Sequence, residues 1–489
     1  MANPIRRLLG QTAVYGLSSI VGRLLNYLLV PLYTAVFADP ADYGVVSELY
    51  AWVAFLVVFL TFGMETAFFR FIQDSTDRKK IMSNALWVVM LVNGMFYLLL
   101  LQFNSEIANV MLFEGHNEYI VLMGAIVCID ALSALPLAEL RAEEKAGRFA
   151  SIQLISIAVN IGLNILFMVF LFDKSRPEEG VLFILIANLL ASLVKPVMLS
   201  DSFGLLRLGL DKEITKKMLL YAFPLVIAGF AGIINETLDR ILLKQLLFNP
   251  SDPTSLRYAE AQVGIYSACY KLAMLVTILL QAYRYAAEPF FFNQYKNEDR
   301  NKVYVRVMNL FIATVCFVFL LVSLNIDVFK YFIRNEAYWA GLKVVPILLL
   351  ANVFLGIYYN QSIWYKLSGK TKFGAYIAII GAIITVSINW LFIPTYGFMA
   401  SAWATLIVYA FQMVLSYFLG QKHYPIPYNL RKFALYLLTA LGIFALTYTL
   451  KIEGTYTRLF VHNIFLLAYV AMIYNFEKKS FQFGNSNTK

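Results

Sequence analysis

Gly44-Val45-Val46-Ser47-Glu48-Leu49-Tyr50 and Gly264-Ile265-Tyr266-Ser267-Ala268-Cys269-Tyr270 share a glycine, a serine and a closing tyrosine in register, at an offset of 220 residues. The same offset carries Ala67 onto Ala287 and Phe71 onto Phe291. A shift of about 224 pairs Lys145-Ala146-Gly147-Arg148-Phe149 with Ser368-Gly369-Lys370-Thr371-Lys372-Phe373 and brings Asn164 close to Asn389. Six apolar runs separate the copies. An even number preserves orientation across a bilayer, so the expectation is a pair of parallel repeats about an axis along the membrane normal. Chance similarity among aromatic-rich apolar segments is the competing explanation.

The surrounding composition agrees with a membrane setting. Of 489 residues 60% are hydrophobic and 14% charged, where soluble chains carry about 25% charged residues. A helix needs about 20 mostly apolar residues to cross the hydrocarbon core. Runs of that length lie near 12–37, 43–72, 82–103, 118–140, 149–172, 180–200, 217–248, 257–292, 303–325, 342–366, 373–393, 396–420, 430–450 and 457–476. The expected fold is all-α and polytopic, with about fourteen transmembrane helices. The repeat groups them into an N-terminal lobe (1–215, helices 1–6), a C-terminal lobe (216–420, helices 7–12) and an extra helix pair with a tail (421–489). Arg6 and Arg7 precede the first run, but that run continues to Phe37 with no small-x-small cleavage site before Asp39, so it reads as a retained helix. Cys128, Cys269 and Cys316 all fall in apolar runs and read as packing residues, while His116, His423 and His462 are scattered; no metal site or cofactor is expected.

Alternate breaks between the runs differ in charge. One set holds Arg78-Lys79-Lys80, Arg141, Lys145 and Arg148, Arg207 to Lys217, Lys296 to Arg306, Lys366 to Lys372, Lys422 to Lys432 and Lys478-Lys479. That side carries roughly 25 basic residues against about 8 on the other, which makes it cytoplasmic and puts both termini inside. The net charge of +10 is therefore a topology signal and a match to anionic membrane lipids. It gives no support to nucleic-acid binding.

Ionisable side chains deep in lipid are costly and normally face a protein or aqueous interior. Arg23 lies roughly 18 Å along the first helix, near the midplane. Lys271 and Asp130 lie near mid-span, Lys195 in the inner half and Glu48 in the outer third. The excess is positive, as suits a cavity that receives an anion; a structural pair, for example with Asp130, is the alternative. Glu236, Arg240 and Lys244 are spaced by four and form a stripe on one face. Arg240 either lines the cavity or pairs with Glu236, and Lys244 is expected to snorkel to the outer mouth. Pro31, Pro136, Pro196, Pro224 and Pro346 sit within or near spans as hinges or as packing features.

Asp42-Tyr43-Gly44 with Ala67-Phe68-Phe69-Arg70-Phe71, Leu238-Asp239-Arg240-Ile241-Leu242-Leu243 with the run from Val263 to Leu272, and Ala146-Gly147-Arg148-Phe149 leading to Asn160 and Asn164 resemble Wzx-type polysaccharide flippases of the multidrug/oligosaccharidyl-lipid/polysaccharide exporter superfamily. The resemblance spans residues about 5 to 420. It implies a two-lobed, multi-pass protein of the bacterial cytoplasmic membrane that moves a polyprenyl-diphosphate-linked oligosaccharide to the outer leaflet by alternating access. A cationic cavity would hold the diphosphate, with Arg23, Lys195, Arg240 and Lys271 as substrate-binding candidates. Glu48 and Asp130 are the candidates for coupling to H+ or Na+. No catalytic residue is implied. Twelve spans are common among such polysaccharide transporters and fourteen among the related lipid II flippases, so the extra pair leaves the branch open. A drug or metabolite exporter of the same superfamily is the nearest rival and would be expected to favour an acidic or aromatic cavity. A membrane glycosyltransferase or polymerase would need charged groups on a substantial outer loop, and the longest outer break, Asn325 to Gly341, offers only Asp327, Lys330, Arg334 and Glu336.

Overall fold

The computed structural model describes residues 21–22, 24–25, 27–73, 77–204, 206, 209–294, 298–450 and 452–482. Among these the chain is helical, with no strand. Thirteen helices are long and apolar enough to cross a bilayer. A fourteenth crossing is expected at 12–37; residues 12–20, 23 and 26 of that run lie outside the described residues, and its described end contains α1, Leu29–Val36. The others follow in order: α2 (Pro40–Thr61, continuing as Met64–Phe71), α3 (Arg78–Gln102), α4 (Asn117–Ala142), α5 (Ala146–Ile165), α6 (Pro177–Met198), α7 (Lys212–Leu247), α8 (Ser255–Gln294), α9 (Arg300–Leu324), α10 (Val345–Gln361), α11 (Lys372–Tyr396), α12 (Phe398–His423), α13 (Leu430–Thr449) and α14 (Thr455–Gln482).

Helix starts follow local chemistry. Asp39 caps α2 by accepting from the Ala41 amide, with Pro40 supplying the fixed φ of a first helical position. Asp77, Asp211 and Asn429 cap α3, α7 and α13 in the same way. Within α2, Phe62 and Gly63 adopt left-handed conformations (φ 49° and 64°) and break the helix. The break frees carbonyls in a place without water. Asn93 of α3 answers one of them, its Nδ2 donating to Leu60 O at 3.1 Å. Pro136, Pro196 and Pro224 lie inside α4, α6 and α7. Pro346 instead sits in the first turn of α10, after a 3-10 segment, and so starts a helix rather than bending one.

By Cα proximity the chain divides into two compact units: Met1–Ser267 with Asn389–Phe398, and Ala268–Ile388 with Met399–Lys489. In the first, α4 is the most enclosed span and packs against α2, α3 and α6. Met64, Phe68, Met82, Leu86, Leu135, Ala138 and Met218 form a dry core at one end of it. In the second unit α9 packs against α10, α13 and α14. The last pair is tied down at both ends. Arg458 pairs with Asp327 at 2.5 Å, and Asn463 Nδ2 donates to Asn325 Oδ1 at 2.9 Å. At the other end buried Glu477 accepts from Lys432 (2.5 Å) and from the Tyr436 hydroxyl (2.6 Å).

The two glycines equated by the 220-residue offset meet inside the first unit. A Cβ on Gly44 would stand 1.9 Å from Glu260 O, and a Cβ on Gly264 would stand 1.9 Å from Pro40 O. Pro40 and Glu260 are themselves 220 residues apart. The contact is thus reciprocal, as a two-fold relation between two copies of one helix produces, and only residues without a side chain allow so close an approach.

Candidate functional site

Among the described residues, three polar clusters occupy the apolar interior of the first unit. The first is sealed. Lys244, near the end of α7, places Nζ 3.0 Å from Glu48 Oε2 of α2 and 3.5 Å from Glu260 Oε1 of α8. The same ammonium donates to Met111 O at 3.1 Å and lies 3.5 Å from the centre of the Phe113 ring. The Trp52 indole donates to Glu48 Oε1 at 3.3 Å. The side chains of Lys244 and Glu48 are wholly buried. Lys244 therefore does not snorkel, because the 111–113 segment folds over its head and supplies a carbonyl in place of water.

The second cluster joins α7 to α8. Asp239 Oδ2 accepts from the Tyr266 hydroxyl at 2.6 Å, and Oδ1 lies 3.1 Å from Arg240 Nη1. Arg240 also donates to the Glu236 carbonyl at 2.9 Å and stands over the Tyr266 ring. Its bonds in this cluster are thus within its own helix, to the Glu236 backbone and the Asp239 carboxylate.

The third cluster stays accessible. Asp130 of α4 and Lys195 of α6 pair at 2.8 Å with 28% and 18% of their side-chain surface exposed. Two turns before Lys195, Asn188 donates to the Tyr50 hydroxyl at 3.2 Å and accepts from Asn160 at 3.3 Å. Asn164 donates to Asn160 Oδ1 at 3.0 Å and accepts from the Tyr33 hydroxyl at 2.8 Å. A track of amides and phenols thus links α1, α2, α5 and α6, and the pair shares α6 with it.

Of the site residues expected from sequence, the structure joins Lys195 to Asp130 and buries Glu48 against Lys244. Lys271 lies in the second unit, half-buried on α8. Arg23 lies outside the described residues. Sequence does not single out Glu260 or Asn188, and it gives Asp239 only as part of a motif, without a role. Glu260 stands only two turns into its helix, where a carboxylate reads as a mouth residue; nothing local shows that a lysine of another helix reaches it.

Outside the spans, Asp173, Asp201, Asp211 and Asp252 are held below the usual carboxylate range, Asp201 and Asp211 chiefly by basic partners. Asp201 accepts from both terminal nitrogens of Arg148 (2.7 and 2.6 Å), and these hydrogen bonds are the main cause. Arg148 also donates to Met198 O, which makes it a clamp on the last turn of α6. Asp211 is lowered first by Lys80 and then by the amide of Ile214.

Residues 8–294, more than half of the chain, match the family described as "Polysaccharide biosynthesis protein". No curated protein matches the chain. Among solved structures, the lipid II flippase MurJ in an inward closed conformation superposes with a TM-score of 0.69 at 15% identity, covering 95% of this chain and 99% of that one. A multidrug resistance MATE family transporter of the MOP superfamily, inward-facing, gives 0.61 at 14% identity over 83% of this chain and 94% of that one. An outward-facing structure of a MATE family transporter gives 0.58 at 15% identity over 86% and 94%. The chain has the fold of this superfamily, as the resemblance in its motifs implied.

Proposed function

The chain belongs to the polysaccharide biosynthesis protein family, and on that premise we propose that it carries a polyprenyl-diphosphate-linked oligosaccharide from the cytoplasmic to the outer leaflet of a bacterial cytoplasmic membrane by alternating access. What supports this reading in the structure is the accessible track of Asp130, Lys195, Asn188, Asn160 and Tyr50 inside otherwise apolar spans. Amides and phenols both donate and accept, which suits the hydroxyls of a sugar. Lys195 is a cation for the diphosphate.

The pairing of Lys195 suggests how anion binding joins to an ion gradient. A phosphate that takes Lys195 releases Asp130, and a carboxylate left alone in an apolar interior is neutralised by a cation. H+ or Na+ arriving at Asp130 would then accompany the substrate. Glu48, the other carboxylate proposed for coupling, acts through the cluster it forms with Lys244 and Glu260. Arg23, Arg240 and Lys271 are the further cations proposed for the anionic headgroup. In this scheme the lobes 1–215 and 216–420 rock, with 421–489 as an added pair and both termini in the cytoplasm. No bond is made or broken, so neither catalytic residue nor cofactor enters.

The test is glycan export by cells expressing Arg23→Ala, Lys195→Ala or Lys271→Ala at wild-type level. Loss of export in each is expected. Export left intact in all three would refute the cationic headgroup site.

A further inference from the structure

The sealed cluster has an odd charge count. Glu48 and Glu260 share one cation, Lys244, and all three are buried. The next cation along α8, Arg257, is already held by Asp39 at 2.8 Å and Asp42 at 2.7 Å. The Tyr119 phenol, which also lies near Glu260, donates to Glu178 O at 3.0 Å. Among the described residues, the charged groups acting on Glu48 and Glu260 are Lys244, Arg257, Asp42 and each other. With both carboxylates ionised the triad would carry a net negative charge in a place closed by Met111, Phe113 and Trp52. Buried excess charge is costly enough that such groups change protonation state instead.

We infer that Glu48, Lys244 and Glu260 form a proton-binding site in which Glu260 carries one proton and exchanges it with the membrane face where Arg257 lies. Glu48 is the ionised partner. It is closer to the ammonium, 3.0 against 3.5 Å, and takes the Trp52 N–H as well. Glu260 is the group with a route out. Its side chain is 10% exposed where Lys244 and Glu48 show none, and Arg257, one turn away, is 46% exposed. A sodium ion does not fit the same role. Its oxygen ligands would be the carboxylates that already hold an ammonium, and it would stand directly against that positive charge. The site depends on the transport reading only for its use as a coupling element; its occupancy by a proton does not.

Infrared difference spectra of the purified full-length protein in detergent at neutral pH, in H2O and D2O, test this. Wild type minus Glu260→Gln is expected to show one protonated carboxyl. Wild type minus Glu48→Gln is expected to show the same band, because Glu260 then ionises against a lysine of its own. Lys244→Met is expected to gain a second protonated carboxyl. The two glutamine variants nearly match the wild-type shape, so they carry the result if Lys244→Met does not fold. Wild type and Glu260→Gln spectra without a difference in the protonated-carboxyl region, or a band that survives Glu48→Gln, would overturn the proposal. The expected bands in a protein whose wild-type vesicles move no lipid-linked glycan would support the proton site and count against the transport reading alone.

Discussion

Gly44 and Gly264 lie against each other, each with its missing side chain aimed at a carbonyl of the opposite helix one turn back, Glu260 O and Pro40 O. A methyl group on either would fall 1.9 Å from an oxygen that a helix holds rigidly. Neither helix has a flexible side chain at that point to move away. The crossing also brings Glu48 and Glu260, each one turn from its glycine on either side, to the same lysine.

Gly44→Ala and Gly264→Ala are each expected to lower the thermal midpoint of the purified protein, by an overpacking cost of about 1–3 kcal/mol or more. Gly94→Ala is the matched control. It sits within α3 with nothing within 4 Å of the added carbon, and helix propensity there favours alanine by about 1 kcal/mol. Melting curves of the three variants, read by tryptophan fluorescence, decide the matter.

Asp130 and Lys195 are expected to be coupled. Asp130→Asn alone leaves a partly buried ammonium, and Lys195→Gln alone a partly buried carboxylate. Each is expected to destabilise, by less than the roughly 3–5 kcal/mol of a fully buried broken pair, since solvent screens part of the charge. The double variant is expected to recover most of that stability while export stays lost. A double-mutant cycle on melting and on glycan export measures both. Additive effects on melting would show that the pair does not act as one.

The Arg148–Asp201 clamp gives a pH dependence with a definite sign. Arg148 holds the Asp201 carboxyl below the usual carboxylate range. Its contribution is therefore full above the unfolded-state value, near about 4, and is lost as pH falls through the lower folded value. Wild type is expected to melt above Asp201→Asn at pH 7, with the gap closing as the buffer is taken below about 4. A gap that is constant with pH would contradict the assignment.

Glu477, buried between Lys432 and Tyr436, is expected to hold α14 against α13. Glu477→Ala is expected to raise protease sensitivity at the C-terminal end without lowering export when expression is matched. Limited proteolysis followed by mass analysis reads it directly.

The spans were legible because a bilayer demands long apolar runs, and the runs near 82–103 and 303–325 have ends within one to four residues of those of α3 and α9. The two glycines stood out in the sequence because their crossing tolerates no side chain at either position. What sequence could not supply was partnership across distance. Lys244 looked like a mouth residue because its helix ends three residues later, and the carbonyl and ring that cover it come from 111–113. Sequence places Asp130 near mid-span and Lys195 in the inner half, yet depth along two helices does not say that they face each other. The run around Pro346 is continuously apolar, and hydropathy does not distinguish a 3-10 lead-in from a helix interior.

The central claim is that the chain moves a lipid-linked oligosaccharide between leaflets. The direct measurement is the leaflet distribution of that lipid in cells lacking the gene, against cells carrying wild type or Lys195→Ala. The intermediate is expected to accumulate on the cytoplasmic face in the deletion strain and in the Lys195→Ala strain, and to clear with wild type. An intermediate that reaches the outer face in the deletion strain, with only the length of the finished glycan altered, would contradict it and point to a polymerase.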